Sequence, residues 1–75
     1  MNLVKFYVDS LDVSTRGKRR NAVKIILMML EKVRNAEDAY LERIPLNLQN
    51  GEAYAMADCS IDIITDAIVF LSDAY

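Results

Sequence analysis

The chain has 75 residues, of which 53% are hydrophobic, and a formal net charge of −2, so it makes one small domain. A chain of this length buries only about 60% of its unfolded surface, and it usually needs a disulfide, a metal or a partner subunit to become stable. With no histidine and a single cysteine, Cys59, it has neither a disulfide framework nor the ligands of a zinc site. We therefore predict self-association without a metal or a cofactor, and we interpret Cys59 as a small buried hydrophobic residue.

The first residues and the longest apolar run both argue against export or membrane insertion. Lys5 and Asp9 interrupt the N-terminal apolar positions, which is unlike a signal peptide. The longest apolar run extends from Ile25 to Leu30, far below the roughly 20 residues that span a bilayer. These patterns predict a soluble, cytoplasmic protein that does not bind membranes.

Residues 1–13 form an N-terminal arm whose pattern fits two structures. Val4, Phe6 and Val8 alternate with polar residues, as in a half-buried strand. Leu3, Tyr7 and Leu11 are four residues apart, as on one side of a helix. Because no second strand is evident, we favour a short helix or an extended arm that packs on the rest of the chain.

The next segment predicts a long helix over about 16–43, capped by Ser14 or Thr15. Its apolar residues cover an arc of roughly 200°, twice what one neighbouring helix can bury. Glu37 lies inside that arc. It either pairs with Arg34 near an open end of the helix or makes a buried polar contact that fixes register in an oligomer.

Ile44 and Pro45 end the first helix, because proline disfavours helical geometry in the residue before it. After a turn, we expect Asn50 to cap a second helix over about 51–75. This helix also has a roughly 200° apolar arc, and it carries a seven-residue repeat of small residues. The small row consists of Ala53, Ser60, Ala67 and Ala74.

These elements predict an all-α fold, an antiparallel helical hairpin with a short N-terminal arm. The whole chain is one domain, in which the hairpin occupies residues 14–75. Because each helix has an apolar arc too wide for one partner, we predict that hairpins assemble into a helical bundle of two or more chains. The predicted oligomer interface consists of Ile26, Leu30, Val33, Ala53, Ser60, Ile64, Ala67, Leu71 and Ala74.

Charge is divided unevenly along the chain. Residues 1–44 hold all nine basic residues and six acids, a net +3, whereas residues 45–75 hold five acids and no base, a net −5. Five bases crowd the start of the first helix, where the helix dipole disfavours cations. They either pair with acids of the antiparallel second helix or bind an anion such as a nucleotide or nucleic acid. The candidate anion-binding residues are Arg16, Lys18, Arg19, Arg20 and Lys24.

The second helix carries acids on one face. Asp58, Asp62 and Asp66 are four residues apart, and Asp73 follows them. Such a stripe can bind Mg²⁺, but it is more often a solvated face. With no histidine and no nucleophile beside a base, we predict that the protein is not an enzyme.

Around the turn, the sequence resembles a group of small uncharacterised helical-hairpin proteins of phages and other mobile elements. The matching stretches run from Asp38 to Tyr40, from Ile44 to Gln49, and from Glu52 through Ala57 and Ala67 to Leu71. Asn50 stands where the group has a capping serine. The resemblance implies a helical hairpin and a phage or prophage origin, and it implies no catalytic activity.

Three functions are compatible with these patterns. The first is a non-enzymatic protein-interaction module that self-associates. The second is a stoichiometric inhibitor of a host or defence protein, acting through Asp58, Asp62, Asp66 and Asp73. The third is a nucleic-acid or nucleotide binder that uses the basic cluster at the start of the first helix.

Overall fold

The structure, a computed structural model, describes residues 3–75, which form three α-helices in sequence. Helix α1 spans Leu3–Ser10, α2 spans Arg16–Glu42 and α3 spans Glu52–Ser72, with a single 3₁₀ turn, Leu46–Leu48, before α3. The two long helices pack side by side in opposite directions. The predicted all-α helical hairpin is therefore confirmed.

The N-terminal arm is helical from Leu3 to Ser10, so the strand alternative is wrong for this segment. All eight residues of α1 are exposed, and the helix packs closely on neither long helix. It approaches the start of α2 instead, across a groove lined partly by Tyr7 and Ile25. The arm therefore extends the hairpin at one end without completing its core.

The start of α2 is fixed by side-chain capping. The Thr15 hydroxyl accepts a hydrogen bond from the backbone N–H of Lys18 at 3.1 Å, so Thr15 rather than Ser14 is the N-cap. The first turn of α2 carries no acid. A carboxylate from the preceding loop supplies the missing negative charge, because Asp12 Oδ2 lies 2.8 Å from Lys18 Nζ.

The connection between the long helices confirms the break at Ile44 and Pro45 but corrects the expected cap. The N-cap of α3 is Gly51, without a side-chain hydrogen bond, and not Asn50. The 3₁₀ turn brings the backbone N–H of Gly51 within 3.0 Å of the Leu48 carbonyl oxygen. A Cβ on Gly51 would lie 3.1 Å from that oxygen, so the close approach favours glycine.

The contact between α2 and α3 follows a three-and-four residue spacing on both helices, as in coiled coils. Its most buried members are Ala57 and Ile68, which are 2% and 8% exposed. The other contact residues are half-buried: Val23, Leu27, Leu30, Arg34, Glu37 and Leu41 on α2, and Tyr54, Ile61, Ile64 and Leu71 on α3.

The chain is elongated and open. With α1 included, its Cα extents are 51 × 34 × 15 Å and its radius of gyration is 16.0 Å, whereas a globular chain of this length has about 11 Å. Its accessible surface is 6129 Å², compared with about 4,600 Å² for a compact protein of the same mass. Among residues 3–75, Ala22, Ala57 and Ile68 alone are buried.

The tight packing at Ala57 predicts that a larger side chain there will destabilise the hairpin. Ala57→Leu should lower the free energy of unfolding by about 1–3 kcal/mol, because α2 leaves no room for the added carbons. Urea unfolding followed by circular dichroism measures the change. The matched control is Ala55→Leu at an exposed position of the same helix, which should change stability by less than about 0.5 kcal/mol. Equal effects at the two positions would contradict the packing described here.

Candidate functional site

Outside its contact with α3, helix α2 has a second apolar stripe that α3 leaves uncovered and that α1 approaches only at its first residues. Ile26, Met29, Val33 and Tyr40 are 39%, 62%, 53% and 44% exposed. Because successive helical residues are about 100° apart, these side chains lie about 100° to one side of the α3 contact. The stripe therefore lies on one broad side of the hairpin rather than at its outer edge.

Helix α3 has a matching stripe. Met56 and Ile63 are each 63% exposed and Phe70 is 78% exposed, and the three are seven residues apart. The small residues Ala53, Ala67 and Ala74 are also exposed, and they lie between this row and the α2 contact. The α3 stripe is displaced from the helix contact by about 130°, in the same rotational direction as the stripe on α2.

The two stripes lie on the same side of the hairpin. Two antiparallel helices are related by a local two-fold axis perpendicular to the plane that contains them. Because this rotation keeps the rotational direction, two stripes that are displaced from the helix contact in the same direction lie on the same side of that plane. The opposite side is polar, and there Arg20 and Lys24 share a groove with Ser72 and Tyr75. We call the first side the apolar face. Its exposed residues are Ile26, Met29, Val33, Tyr40, Ala53, Met56, Ile63, Ala67, Phe70 and Ala74.

All nine residues of the interface predicted from sequence lie toward the apolar face, but at two depths. Leu30, Ser60, Ile64 and Leu71 are half-buried along the contact between α2 and α3. The other five remain exposed: Ile26, Val33, Ala53, Ala67 and Ala74. The small row on α3 thus borders a shallow groove between α2 and α3. The half-buried residues form the floor of this groove.

The sequence-based interface omits several of the most exposed members of the apolar face. Met56, Ile63 and Phe70 form a seven-residue row that was visible in the sequence. Tyr40 likewise continues the seven-residue row of Ile26 and Val33. Met29 becomes recognisable only once the direction of the α3 contact is known. The sequence also predicted a buried Cys59, which is wrong, since Cys59 lies on the side of α3 away from α2 and is exposed.

A groove of about 200 Å³ runs between α1 and α2 at one border of the apolar face. Its lining is apolar, and no charged side chain contributes to it. The lining residues are Tyr7, Val8, Leu11, Ile25, Ile26 and Met29. Because α1 buries none of its own residues, this groove is an open apolar site rather than a completed core.

The basic cluster at the start of α2 is largely engaged by neighbouring groups of the same chain. The Arg16 guanidinium lies 4.9 Å from the centre of the Tyr75 ring, a cation–π contact that closes the open end of the hairpin. Arg19 Nη1 donates a hydrogen bond to the Val13 carbonyl oxygen at 3.0 Å. Lys18 pairs with Asp12, whereas Arg20 and Lys24 line the polar groove.

The acids of α3 do not supply the compensation expected from the charge division. In residues 3–75, no Lys or Arg nitrogen of α2 lies within 4.0 Å of a carboxylate oxygen of α3. Asp58, Asp62, Asp66 and Asp73 are all exposed. The predicted pair between Arg34 and Glu37 is also not formed, since Arg34 Nη2 donates to Asn35 Oδ1 at 3.3 Å while Glu37 lies half-buried in the helix contact.

Asp12 organises the loop that leads into α2. Its Oδ1 accepts hydrogen bonds from the Ser14 hydroxyl at 2.7 Å and the Ser14 backbone N–H at 3.1 Å. The Lys18 ammonium and these Ser14 donors favour the charged carboxylate and lower the pKa of Asp12 from its ordinary value of 3.8. The sequence signal that would have located this loop is an aspartate two residues before a serine, the pattern of an Asx turn.

Residues 3–75 contain no group of three or more His, Cys, Asp or Glu side chains placed to hold a metal ion. No helix in this range has the length and apolar character that crossing a bilayer requires. No family model, curated protein or solved structure matches the chain. The similarity to phage hairpin proteins therefore stays a prediction.

The Asp12 loop predicts a measurable pH dependence. The carboxyl should titrate below the ordinary aspartate range in an NMR pH titration, and Lys18→Ala should raise its pKa more than Ser14→Ala does, because Lys18 exerts the largest effect. Since the folded pKa is lowered, the loop contributes stability above the unfolded pKa and loses it as the pH falls through the folded pKa. An Asp12 pKa that Lys18→Ala leaves unchanged would contradict the ion pair.

Proposed function

We propose that this protein is a non-enzymatic interaction module that self-associates through its apolar face. The observation that carries the proposal is the pair of uncovered stripes on α2 and α3, which lie on the same side of the hairpin. Soluble monomers rarely leave so large a contiguous apolar surface in water. A second hairpin laid on this face would convert the two-helix layer into a four-helix bundle.

The size of the exposed surface supports the same proposal. The chain exposes roughly 1,500 Å² more than a compact protein of its mass. A standard protein interface buries about 800 Å² on each partner, and obligate homodimers bury more. Pairing two apolar faces would thus bring the surface of each chain close to that of an ordinary globular protein.

The contacts of the basic cluster favour self-association over nucleic-acid binding. Arg16, Lys18 and Arg19 already contact Tyr75, Asp12 and the Val13 carbonyl oxygen within the chain. Few of the five cations are left to neutralise phosphates, and phosphate neutralisation supplies most non-specific nucleic-acid affinity. The cluster therefore has a structural role in joining the N-terminal loop, α2 and the end of α3.

The proposal predicts a discrete oligomer whose stability depends on the apolar face. Native mass spectrometry and sedimentation equilibrium of the purified protein should give a dimer or a larger defined assembly. Ile63→Asp should weaken self-association by about tenfold or more, because each interface would bury a carboxylate. Val69→Asp is the matched control, since Val69 is 59% exposed on the same helix but lies away from the apolar face. A monomeric wild-type protein would overturn the proposal.

The small row on α3 gives a second prediction. Ala67→Leu should disrupt the assembly, because a larger side chain beside the shallow groove between α2 and α3 would keep the helices of the partner chain from approaching closely. The folded monomer should tolerate this substitution, since Ala67 is exposed within the hairpin. Native mass and melting temperature, measured over a range of concentrations, report the two effects separately. An unchanged mass together with unchanged melting would show that Ala67 lies outside the interface.

A further inference from the structure

We infer that the occupant of the groove between α1 and α2 is Phe70 from a second copy of this chain. The inference rests on the proposed self-association and specifies its geometry. The two copies would be related by a two-fold axis parallel to the hairpin, so that α3 of one copy lies over α2 of the other. Each Phe70 would then enter the partner's groove, which makes the contact isologous and closed.

Phe70 and the groove between α1 and α2 lie at the same height along the hairpin. Lys24 shares a groove with Leu71, so Phe70, one residue earlier, lies near the height of Ile25. The groove between α1 and α2 is lined by Ile25, Ile26 and Met29 from that same stretch of α2. A two-fold axis parallel to the helices leaves height unchanged, so it brings Phe70 of one copy to the level of the partner's groove.

The lateral positions agree as well. In helical projection, Phe70 lies toward the outer edge of α3, tilted to the apolar face. Helix α1 lies beside α2 where the apolar face meets the outer edge of α2, next to Ile25, Ile26 and Met29. When α3 is placed over the partner's α2, the ring points to the side where α1 stands. Phe70 is 78% exposed within its own chain and the groove is wholly apolar, so each supplies the surface that the other lacks.

Charge complementarity selects this orientation over its main alternative. The outer edge of α2 carries two bases and no acid of α2, namely Lys32 and Arg43. Lys18 lies toward the same edge but is paired with Asp12. The outer edge of α3 carries acids without bases: Glu52, Asp62, Asp66 and Asp73. With α3 over α2, basic and acidic edges run side by side. Arg43 would lie at the height of Glu52 near the turn, and Lys32 near the height of Asp62.

The alternative two-fold axis is perpendicular to the helices and places α2 over α2 and α3 over α3. That arrangement aligns each edge with a copy of itself, so like charges meet along its full length. Individual surface pairs contribute little, but rows of like or unlike charge set the orientation of association. The unlike-charge arrangement is also the one that seats Phe70 in the groove.

Disulfide trapping tests the geometry in a Cys59→Ser background. One chain carries Phe70→Cys and a second carries Val8→Cys, and the two are mixed and oxidised. We expect a covalent dimer that joins one chain of each kind. Val69→Cys mixed with Val8→Cys is the matched control, because Val69 neighbours Phe70 and is similarly exposed but lies away from the apolar face. That mixture should give no covalent heterodimer above background.

A second measurement does not depend on trapping. Phe70→Ala should raise the dimer dissociation constant by roughly tenfold or more, because two aromatic rings are withdrawn from each interface. It should leave the helical content of the chain unchanged, since Phe70 is exposed in the hairpin. Val69→Ala should leave the dissociation constant within about threefold of the wild-type value.

The outcomes separate this inference from the proposed function. A wild-type protein that is monomeric at all accessible concentrations would overturn both. A dimer in which Ile63→Cys chains, also in the Cys59→Ser background, cross-link mainly to one another would place α3 over α3 and overturn the orientation alone, because Ile63 lies near the middle of α3. A dimer whose Phe70→Cys and Val8→Cys chains never cross-link would remove Phe70 from the groove while leaving self-association intact.

Discussion

Each long helix carries an apolar arc of roughly 200°, while the hairpin gives it only one long neighbour, and this mismatch governs the rest of the structure. The contact between α2 and α3 uses about half of each arc. The other half of each arc lies outside this contact. Because the two helices are antiparallel and these outer halves are displaced in the same rotational direction, both lie on the same side of the hairpin. A hairpin with one apolar face is the direct result.

The start of α2 shows how local contacts can make an unfavourable charge arrangement stable. Five cations lie in a region where the helix dipole is positive, and acids of α3 do not approach them. The chain instead uses Asp12 in the preceding loop, the Tyr75 ring at the end of the hairpin, and a backbone carbonyl. These contacts also tie the two ends of the described chain to the start of α2.

The division of charge along the sequence becomes a division in space. Lys32 and Arg43 of α2 lie toward one edge of the hairpin, and Glu52, Asp62, Asp66 and Asp73 lie toward the other. A single hairpin cannot pair them, since its own width separates the edges. In the proposed dimer, a second copy would pair them in one of its two symmetric orientations, and the charge asymmetry would then select that orientation.

The sequence alone determined the helical hairpin, the break at Pro45 and the presence of more apolar surface than one hairpin can bury, because these follow from local propensity and a three-and-four residue repeat. It also identified Ile26, Val33 and Ala67 as interface candidates. The tertiary structure decided which apolar residues pack in the contact between α2 and α3, such as Leu30 and Ile64. It also decided that both stripes share one face, because the direction of a helix contact depends on the partner helix rather than on either repeat alone.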